Sequence, residues 1–484
     1  MTNIKVRSYD SVYNYIDHDD RGIHQEISDH FTFEVPGARF MPQVKWGVWD
    51  GKIRLYNTQK QLLYSGLMHR LEEFCRINDY KLEYEYDNSA ESFSVKEAKE
   101  FLKEQKFTLE PRDYQIEAFV DAVRYNRQLF LSPTASGKSF IIYMILRWYL
   151  QPTLIIVPTI GLVHQMYSDF ESYGFKSEKY IHKIYGGQEK DTDKPITITT
   201  WQSITKQPKE WFSQFNVVIG DEAHLFKAKS LTTIMTKLTD CKYRFGFTGT
   251  IDDANCHQYV LEGLFGPIRQ VTTTKQLMDD KHLADFRIKV LNLSYSESER
   301  KLVAPMSYHD EMKFLVNHNT RNKFIQNLAL SLEGNTLLLF QFVDTHGKVL
   351  YNNILNEVKD RKVFFIHGGV KGEERDAIRS IVEKETNAII VASYGTFSTG
   401  VNIRNLHSVI FASPSKSKIR NLQSIGRALR TSDTKTKATL YDIADDLTHK
   451  KKMNFTLKHL LERIKIYDNE KFQYKFYKVG LTNE

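Results

Sequence analysis

The sequence predicts an α/β protein with two doubly wound, mostly parallel sheets, preceded by a small α+β domain. Between about residues 112 and 270, short apolar runs alternate with helical patterns, and a second alternation of this kind begins near residue 286. Such alternation is typical of parallel strands whose connecting helices cover both faces of the sheet. We therefore expect domains at residues 1–90, 91–280 and 281–445, followed by a basic helical tail at 446–484.

The first expected domain carries a β-hairpin signal at residues 44–56, where Asp50 and Gly51 occupy the two turn positions. In this register Trp46 and other apolar side chains share one face. The opposite face carries basic and aromatic side chains, which are suited to contact phosphates and to stack on bases. These candidate nucleic-acid contacts are Lys45, Trp49, Lys52, Arg54 and Tyr56. An ordinary solvated face fits the pattern equally well, because the N-terminal region as a whole is slightly acidic.

A phosphate-binding loop is expected at residues 132–139, between an apolar run typical of a strand and another typical of a buried helix. Such a loop directs backbone N–H groups and a helix N-terminus at a polyphosphate. Lys138 would reach the terminal phosphates, and Ser139 would offer its hydroxyl to Mg²⁺. Ser132 stands where such a loop usually has its first glycine. The candidate nucleotide contacts are Pro133, Thr134, Ala135, Ser136, Gly137, Lys138 and Ser139.

Two adjacent carboxylates, Asp221 and Glu222, follow an apolar run at residues 216–220 that is typical of a buried parallel strand. Asp221 would hold Mg²⁺ through water, and Glu222 would polarise the attacking water. His224 is interpreted as a coupling residue rather than a metal ligand, because no second histidine or cysteine stands at ligand spacing. A solvated acidic turn is the simpler alternative.

A third block at residues 423–430 supplies positive charge, which phosphoryl transfer needs where negative charge develops. Arg427 and Arg430 lie three residues apart and would project from one face of a helix. Together with Gln423 they complete the set of catalytic candidates. The distance of this block from the phosphate loop along the chain implies a second domain that completes the site only on closure.

The composition narrows the class of protein. At 484 residues the chain has room for two to four domains, and its net charge of +8 suits a nucleic-acid partner. The three cysteines are far apart and lack metal-ligand spacing, which predicts a reducing cytoplasm and no zinc site. No secretory signal pattern is visible. The most apolar stretch, residues 139–158, is interrupted by polar residues and proline, so we expect a helix and a strand there rather than a membrane span.

With the three blocks in this order, residues 105 to about 470 resemble the superfamily 2 helicases. The resemblance implies two RecA-like domains, ATP hydrolysis with Mg²⁺ and motion along a nucleic acid. It also implies that Gln115 hydrogen-bonds the adenine base, that Arg112 flanks it, and that Gly400 and Asn402 lie close to the nucleotide. The implied contacts to the nucleic-acid strand are Pro158, Thr159, Thr199, Thr200, His367, Gly368, Ser393 and Thr399.

Two residues depart from the usual pattern of the superfamily. Ala135 replaces a glycine of the phosphate loop, and Ser424 replaces an arginine of the last motif. A methyl group at position 135 would crowd the approach of the backbone to the phosphates if φ there were positive. Neither change removes the lysine, the carboxylates or the two arginines, so ATP hydrolysis is still expected. Residues 248–250, Thr-Gly-Thr, stand in place of the superfamily's Ser-Ala-Thr coupling motif.

The motif spelling and the N-terminal hairpin are most similar to the recombination helicases of T-even phages. This resemblance implies DNA that is branched, forked or in R-loops as the partner, together with RNA–DNA hybrids, recombination proteins and single-strand-binding proteins. It implies the host-cell cytoplasm as the location. The motor motifs alone leave two other functions open, a double-strand translocase that never separates strands and an RNA helicase. The intact acidic and arginine pairs disfavour a further alternative, an inactive ATP-sensing module.

Overall fold

The structure is a computed structural model that describes residues 2–251, 254–370, 377–378, 381–398, 405–414 and 437–481. The chain divides into two compact units, residues 1–132 with 137–272 and residues 133–136 with 273–484. The first unit holds a mixed five-stranded sheet and a seven-stranded parallel sheet, and the second holds another seven-stranded parallel sheet. The predicted fold class is confirmed. Within the described part of the chain, none of the helices combines the length and the apolar character needed to cross a bilayer.

The N-terminal domain is a mixed sheet packed with two longer helices. Its elements are β1 (Asn3–Ser8), β2 (Tyr13–Asp17), α1 (Arg21–His30), β3 (Thr32–Glu34), a 3-10 helix (Ala38–Phe40), α2 (Pro42–Lys45), β4 (Lys52–Arg54), β5 (Tyr56–Asn57), β6 (Leu62–Tyr64), a second 3-10 helix (Ser65–Leu67), α3 (Met68–Ile77) and β7 (Lys81–Tyr84). Five strands form a sheet in the order β5-β6-β2-β1-β7, and β3 pairs with β4 in a separate antiparallel ribbon. Ile4 and Val6 of β1 are fully buried in one core with Ile27 and Leu71, as the period-two alternation of a strand requires.

The hairpin predicted at residues 44–56 is wrong. Pro42, whose fixed φ suits the first position of a helix, begins α2, and β4 pairs with the earlier strand β3. Trp46, which was expected on the apolar face of the hairpin, is 78% exposed. Tyr56 was expected on the exposed basic face, but it is 3% exposed and its hydroxyl hydrogen-bonds His24 Nδ1 at 2.6 Å. Tyr56 is therefore a core residue and not a nucleic-acid contact.

The first parallel domain follows. Its elements are α4 (Val95–Glu104), α5 (Asp113–Tyr125), β8 (Arg127–Leu131), α6 (Lys138–Tyr149), β9 (Thr153–Val157), α7 (Ile160–Ser172), α8 (Ser177–Tyr180), β10 (Ile181–Ile184), β11 (Ile196–Thr200), α9 (Trp201–Ile204), α10 (Lys209–Phe212), β12 (Val217–Asp221), a 3-10 helix (Ala223–Lys227), α11 (Lys229–Lys237), β13 (Tyr243–Thr248), α12 (Asn255–Phe265) and β14 (Ile268–Gln270). The strand order is β10-β11-β9-β12-β13-β8-β14, and all pairs are parallel. Because the carboxyl ends of parallel strands share one edge, the segments that follow β8, β12 and β13 lie side by side.

The N-terminal domain packs directly on α12. A Cβ atom on Gly66 would come within 2.7 Å of the carbonyl oxygen of Gly263, so the two backbones are in close contact. The buried carboxylate of Glu262 accepts hydrogen bonds from His69 Nε2 (2.9 Å) and from Nε and Nη2 of Arg70 (2.8 and 2.9 Å). Paired and hydrogen-bonded in this way, a buried charge becomes tolerable. The N-terminal domain is therefore attached to the first parallel domain by packing and by charge.

The second unit contains the other parallel sheet. Its elements are α13 (Thr274–Asp279), β15 (Asp285–Ser294), α14 (Glu297–Val303), α15 (Tyr308–Val316), α16 (Asn319–Ser331), β16 (Thr336–Phe340), a π-helix (Val343–Gly347), α17 (Lys348–Glu357), β17 (Val363–Ile366), β18 (Ile389–Ser393), α18 (Tyr394–Ser398), β19 (Ser408–Phe411), β20 (Lys437–Asp446), α19 (Phe455–Asn469) and β21 (Gln473–Gly480). The strand order is β17-β18-β16-β19-β20-β15-β21. The helix expected in the tail is present as α19, but β21 then pairs with β15 as the edge strand of the sheet. Most side chains of β21 are exposed, so its sequence lacks the buried alternation that predicts a strand.

Candidate functional site

The segment after β8 turns into the N-terminus of α6 through a loop of the kind that binds phosphate. Ser132 is fully buried, and its N–H donates to the carbonyl of Thr248 at the end of β13 (2.8 Å). Gly137 precedes α6 with φ of +79°, a left-handed conformation that favours glycine. Lys138 begins α6, and its Nζ lies 3.5 Å from the carbonyl oxygen of Ser132. The lysine and the N-terminal N–H groups of α6 thus gather where a polyphosphate would meet them.

Ala135, the residue that replaces a glycine in this loop, has φ of +67°. This is the condition under which its methyl group was expected to crowd the loop. A left-handed conformation costs a residue with a side chain roughly 1–2 kcal/mol. The turn is closed locally, because the N–H and the hydroxyl of Ser136 both donate to the carbonyl of Pro133 (3.2 and 2.7 Å). The loop therefore holds backbone strain at a candidate functional site.

Gln115 lies in the first turn of α5, beside the phosphate loop. Its Oε1 accepts the N–H of Arg112 at 2.9 Å, which caps the first turn of α5. Its Nε2 lies only 2.4 Å from the position that a Cβ atom on Gly137 would occupy. The guanidinium of Arg112 donates to the hydroxyl of Tyr114 (2.8 Å). The two residues expected to recognise adenine are thus next to the loop, and their contact with the base stays a prediction.

Replacing Gly137 by alanine is expected to weaken nucleotide binding about tenfold or more. The methyl group would sit on left-handed backbone and collide with the Gln115 amide, so the loop or the amide must move. Titration with a fluorescent ATP analogue measures the loss. Gly161→Ala is the matched control, because its Cβ would meet no atom closer than 4.0 Å. Equal affinities of the two variants would contradict this role of Gly137.

Asp221 is the last residue of β12 and is buried, with Glu222 directly after it. One oxygen of Asp221 accepts the N–H of Glu222 (2.9 Å), and Glu222 itself has left-handed backbone angles of φ 50° and ψ 50°. Burial, followed by the negative charge of Glu222, raises the pKa of Asp221 to about 6, while the Lys138 ammonium acts in the opposite direction. The carboxylates and the lysine therefore form one electrostatically connected group.

His224 links this group to the segment after β13. Its Nδ1 lies 3.0 Å from Thr248 Oγ1 and 3.4 Å from Glu222 Oε2. Thr248 Oγ1 donates in turn to the carbonyl of Thr250 (2.8 Å). The histidine thus contacts both the candidate water-activating carboxylate and the Thr-Gly-Thr segment, which agrees with its interpretation as a coupling residue.

Ser139 and Asp221 are the side chains assigned to Mg²⁺. Ser139 Oγ hydrogen-bonds the hydroxyl of Tyr173 at 2.8 Å. The sequence offered no signal for this contact, because Tyr173 belongs to no motif. Among the described residues, no group of three or more His, Cys, Asp and Glu side chains is arranged to hold a metal ion. One hydroxyl and one carboxylate nevertheless fit Mg²⁺, which keeps several waters and is bound by one or two carboxylates together with substrate phosphates.

The nucleic-acid contacts expected in the first parallel domain lie at the carboxyl ends of β9 and β11, which are adjacent in the sheet. Thr159, after Pro158, caps α7 with its hydroxyl, and Thr200 ends β11. Thr199 is fully buried, and its hydroxyl donates to the carbonyl of Ile184 (3.0 Å). Its side chain therefore holds β11 against β10 and is not exposed to a nucleic-acid strand, and the expected contact of Thr199 with nucleic acid stays a prediction.

The nucleic-acid contacts expected in the described part of the second unit lie at the carboxyl ends of β17 and β18, again neighbours in their sheet. His367 and Gly368 follow β17, and His367 Nδ1 accepts the N–H of Gly369 (3.1 Å). Ser393 ends β18, is buried and donates to Thr396 Oγ1 (2.9 Å). The other candidates of this unit lie outside the described residues; they are Thr399, Gly400, Asn402, Gln423, Arg427 and Arg430, and the departure at Ser424 lies there too.

Three of the N-terminal candidates are exposed, namely Lys45, Lys52 and Arg54. Arg54 forms an ion pair with Asp50. Trp49 is half-buried, and its indole Nε1 donates to the carbonyl of Lys52 (2.9 Å). Basic side chains are therefore present on this surface, although a short helix and the β3–β4 ribbon carry them instead of a hairpin.

Three family models match the chain. The model of the N-terminal part of the DNA helicase UvsW matches residues 3–85. The model of the res subunit of type III restriction enzymes matches residues 108–253, and the helicase conserved C-terminal domain matches residues 319–432. The three matches follow the N-terminal domain, the first parallel domain and part of the second unit in turn.

Individual proteins match over longer stretches. The chain is 38% identical to the ATP-dependent DNA helicase UvsW of Enterobacteria phage T4, over 99% of this chain and 100% of that protein. It is 28% identical to the DNA 3'-5' translocase XPB2 of Sulfurisphaera tokodaii, over 68% of this chain and 80% of that protein. The crystal structure of T4 UvsW is similar with a TM-score of 0.52 and 36% identity, covering 99% of this chain and 100% of that one. The N-terminal domain and both parallel sheets therefore have counterparts in the phage protein.

Proposed function

Because the chain belongs to the UvsW family of superfamily 2 helicases, we propose that this ATP-dependent DNA helicase remodels branched DNA. It would regress forks, migrate Holliday junctions and displace RNA from R-loops. The observation that supports this proposal is the attachment of the N-terminal domain to α12. That helix follows the Thr-Gly-Thr segment in the chain, so the ATP site is connected to a second surface that can engage DNA.

The residues of the site have distinct tasks in hydrolysis. Lys138 and the loop N–H groups bind the terminal phosphates of ATP, and Glu222 accepts a proton from the attacking water. Ser139 and Asp221 would hold Mg²⁺, which neutralises charge on the phosphate oxygens when it is bound. We assign to Arg427 and Arg430, from the sequence alone, the stabilisation of negative charge in the transition state.

The connection to the N-terminal domain has two steps. Glu222, His224 and Thr248 are joined by the contacts described above, and the chain continues from Thr250 into α12. Glu262 of α12 is then held by His69 and Arg70. Burial opposes ionisation of Glu262, but the hydrogen bonds from these two residues lower its pKa to about 2. The carboxylate is therefore charged at neutral pH and keeps the two domains joined.

DNA is proposed to meet the protein at two places in the first unit. Pro158, Thr159 and Thr200 at the carboxyl ends of β9 and β11 would hold one strand. Lys45 and Lys52 on the N-terminal domain would contact phosphates of the duplex ahead of it. Both surfaces belong to the unit that contains Lys138, Asp221 and Glu222, which supports a motor that pulls on one strand while it remains in contact with the duplex.

One experiment tests the proposal directly. ATP turnover and strand displacement are measured on single-stranded, linear duplex, forked, four-way and R-loop substrates, with a non-hydrolysable ATP analogue as the control. We expect DNA to stimulate turnover, and we expect ATP-dependent displacement to be fastest on the three branched substrates. Turnover stimulated by linear duplex without displacement on any substrate would instead identify a double-strand translocase, and stimulation by RNA alone would identify an RNA helicase.

A further inference from the structure

A segment of the N-terminal domain exposes large apolar side chains that the ATP site does not explain. Residues 37–49, which we call the aromatic loop, lie between β3 and β4. Phe40 is 66% exposed, Trp46 is 78% exposed and Val48 is 75% exposed. Single exposed apolar residues are common, but several within one short segment mark an interaction site.

The aromatic loop is internally bonded. The carbonyl of Gln43 accepts the N–H groups of Val48 and Trp49 (2.9 and 3.2 Å). At the base of the loop, Gly51 has φ of +79°, and a Cβ atom on it would lie 3.0 Å from the Cβ of Ala38. The base is therefore closely packed. The exposed side chains are presented by a built structure, which lowers the entropic cost of binding through them.

The charge around the loop indicates the chemistry of its partner. Residues 34–54 contain four cationic and two acidic side chains, and Asp50, one of the two acids, is paired with Arg54. The guanidinium of Arg39 lies 4.8 Å from the centre of the Phe40 ring. Aromatic side chains among cations are the combination that stacks on unpaired bases while neutralising phosphates. Apolar side chains such as phenylalanine also insert between base steps and unstack them.

The strand before the aromatic loop packs on α12, the helix that follows the Thr-Gly-Thr segment in the chain. Phe33 of β3, just before the loop, packs on Tyr259 of α12 with ring centres 4.7 Å apart. The guanidinium of Arg70 also lies over this ring, 4.9 Å from its centre. The β3–β4 ribbon, which carries the loop, and the helix α3 thus both contact α12.

We propose that the aromatic loop is the strand-separating element. Phe40, Trp46 and Val48 insert where a duplex opens and stack on the newly unpaired bases, while Lys45 and Lys52 contact the adjoining phosphates. This inference rests on the proposed remodelling of branched DNA and names the element that opens the duplex.

The first test replaces Phe40, Trp46 and Val48 together by serine. ATP turnover in the absence of DNA should stay at the wild-type level, because these residues lie outside the ATP site. Displacement of a forked strand should fall roughly tenfold or more, because stacking on the opened bases is lost. Ile77→Ser is the matched control, since Ile77 is a 65% exposed apolar residue of the same domain outside the loop. Wild-type displacement by the triple variant would overturn the inference.

The second test does not depend on ATP. A fork with 2-aminopurine at the junction reports unstacking as a change in fluorescence when the protein binds. We expect that change with the wild type and with Ile77→Ser, and a several-fold smaller change with the triple variant. The single substitution Trp46→Phe keeps an aromatic ring and should give the same change as the wild type. An identical change in the wild type and the triple variant would overturn the inference. A second result would also overturn it: the wild type self-associates in sedimentation, and the triple variant no longer self-associates but still separates forks. The loop would then be a contact between copies of the chain. Absence of fork displacement by the wild type, with the fluorescence change retained, would count against the proposed remodelling of branched DNA and still support the contact of the loop with unpaired bases.

Discussion

Replacing Glu222 by glutamine is expected to slow ATP hydrolysis about 10²–10⁴-fold, the range that a positioned general base contributes. The amide has the size of the carboxylate and leaves the contact between Asp221 and the Glu222 N–H in place. It cannot accept a proton from water, so the chemical step is slowed while the phosphate contacts remain. Single-turnover hydrolysis measures the loss, and titration with a fluorescent nucleotide shows whether binding is retained.

The matched control for this substitution is Glu210→Gln. Glu210 is an exposed acid on α10 of the same domain, so its variant removes one negative charge at a distance from the site. We expect wild-type turnover from it. If Glu222→Gln also hydrolysed ATP at the wild-type rate, another group would be the base. A parallel loss of nucleotide affinity would instead show that Glu222 acts mainly in binding.

Replacing Asp445 by asparagine is expected to lower the free energy of unfolding of the second unit by about 3–5 kcal/mol, the usual cost of breaking a buried ion pair. Asp445 lies in β20 and accepts two hydrogen bonds from Arg321 of α16, Nε to Oδ1 at 2.7 Å and Nη2 to Oδ2 at 3.0 Å. Both side chains are fully buried. The asparagine would leave the guanidinium charged in the interior without a counter-charge.

Two further contacts explain why the protein tolerates this buried pair. The hydroxyl of Tyr295 donates to Asp445 Oδ1 (2.7 Å), and Arg321 Nη2 also donates to the carbonyl of Ala412 (2.8 Å). The pair therefore joins α16 to segments that follow β15 and β19. Urea unfolding measures the effect of Asp445→Asn.

Glu357→Gln is the control for the buried pair. It breaks the ion pair between Glu357 and Lys323. Lys323 also lies on α16, but both side chains of this pair are about half exposed. Exposed pairs of this kind contribute ~0–1 kcal/mol. If the two variants were equally stable, the charge of Asp445 would not be what holds α16 on the sheet.

The motor part of the chain could be predicted because its signals are local. The strand after residue 216 is a run of apolar residues buried on both faces, and the charged residues that matter follow directly at its end. The same holds for the loop between β8 and α6. A parallel sheet brings the carboxyl ends of its strands to one edge, so the order of these blocks along the chain is enough to predict that they meet.

The contacts that complete the site were not predictable in this way. Tyr173 reaches Ser139 from the end of α7, and Gln115 stands beside Gly137 from the first turn of α5. Neither pair has a spacing or a composition that distinguishes it from many others. Their distances depend on how α5 and α7 pack against α6, which is decided by the shapes of buried side chains over the whole domain.

By itself, the sequence determined that this protein has two parallel-sheet domains with a phosphate loop, an acidic pair and a coupling segment in order, because each depends on residues that are neighbours in the chain. The tertiary structure decided the N-terminal domain. The alternation of apolar and polar residues over 44–56 fitted a hairpin, yet β4 pairs with β3 and Trp46 is exposed. The tertiary structure also decided that β21 joins the second sheet. An edge strand such as β21 is held by its hydrogen bonds to β15 and has few buried side chains, so its sequence carries little sign of it. Which strands pair depends on segments that are far apart in the chain. The residue pattern of one segment does not show which other segment will pair with it.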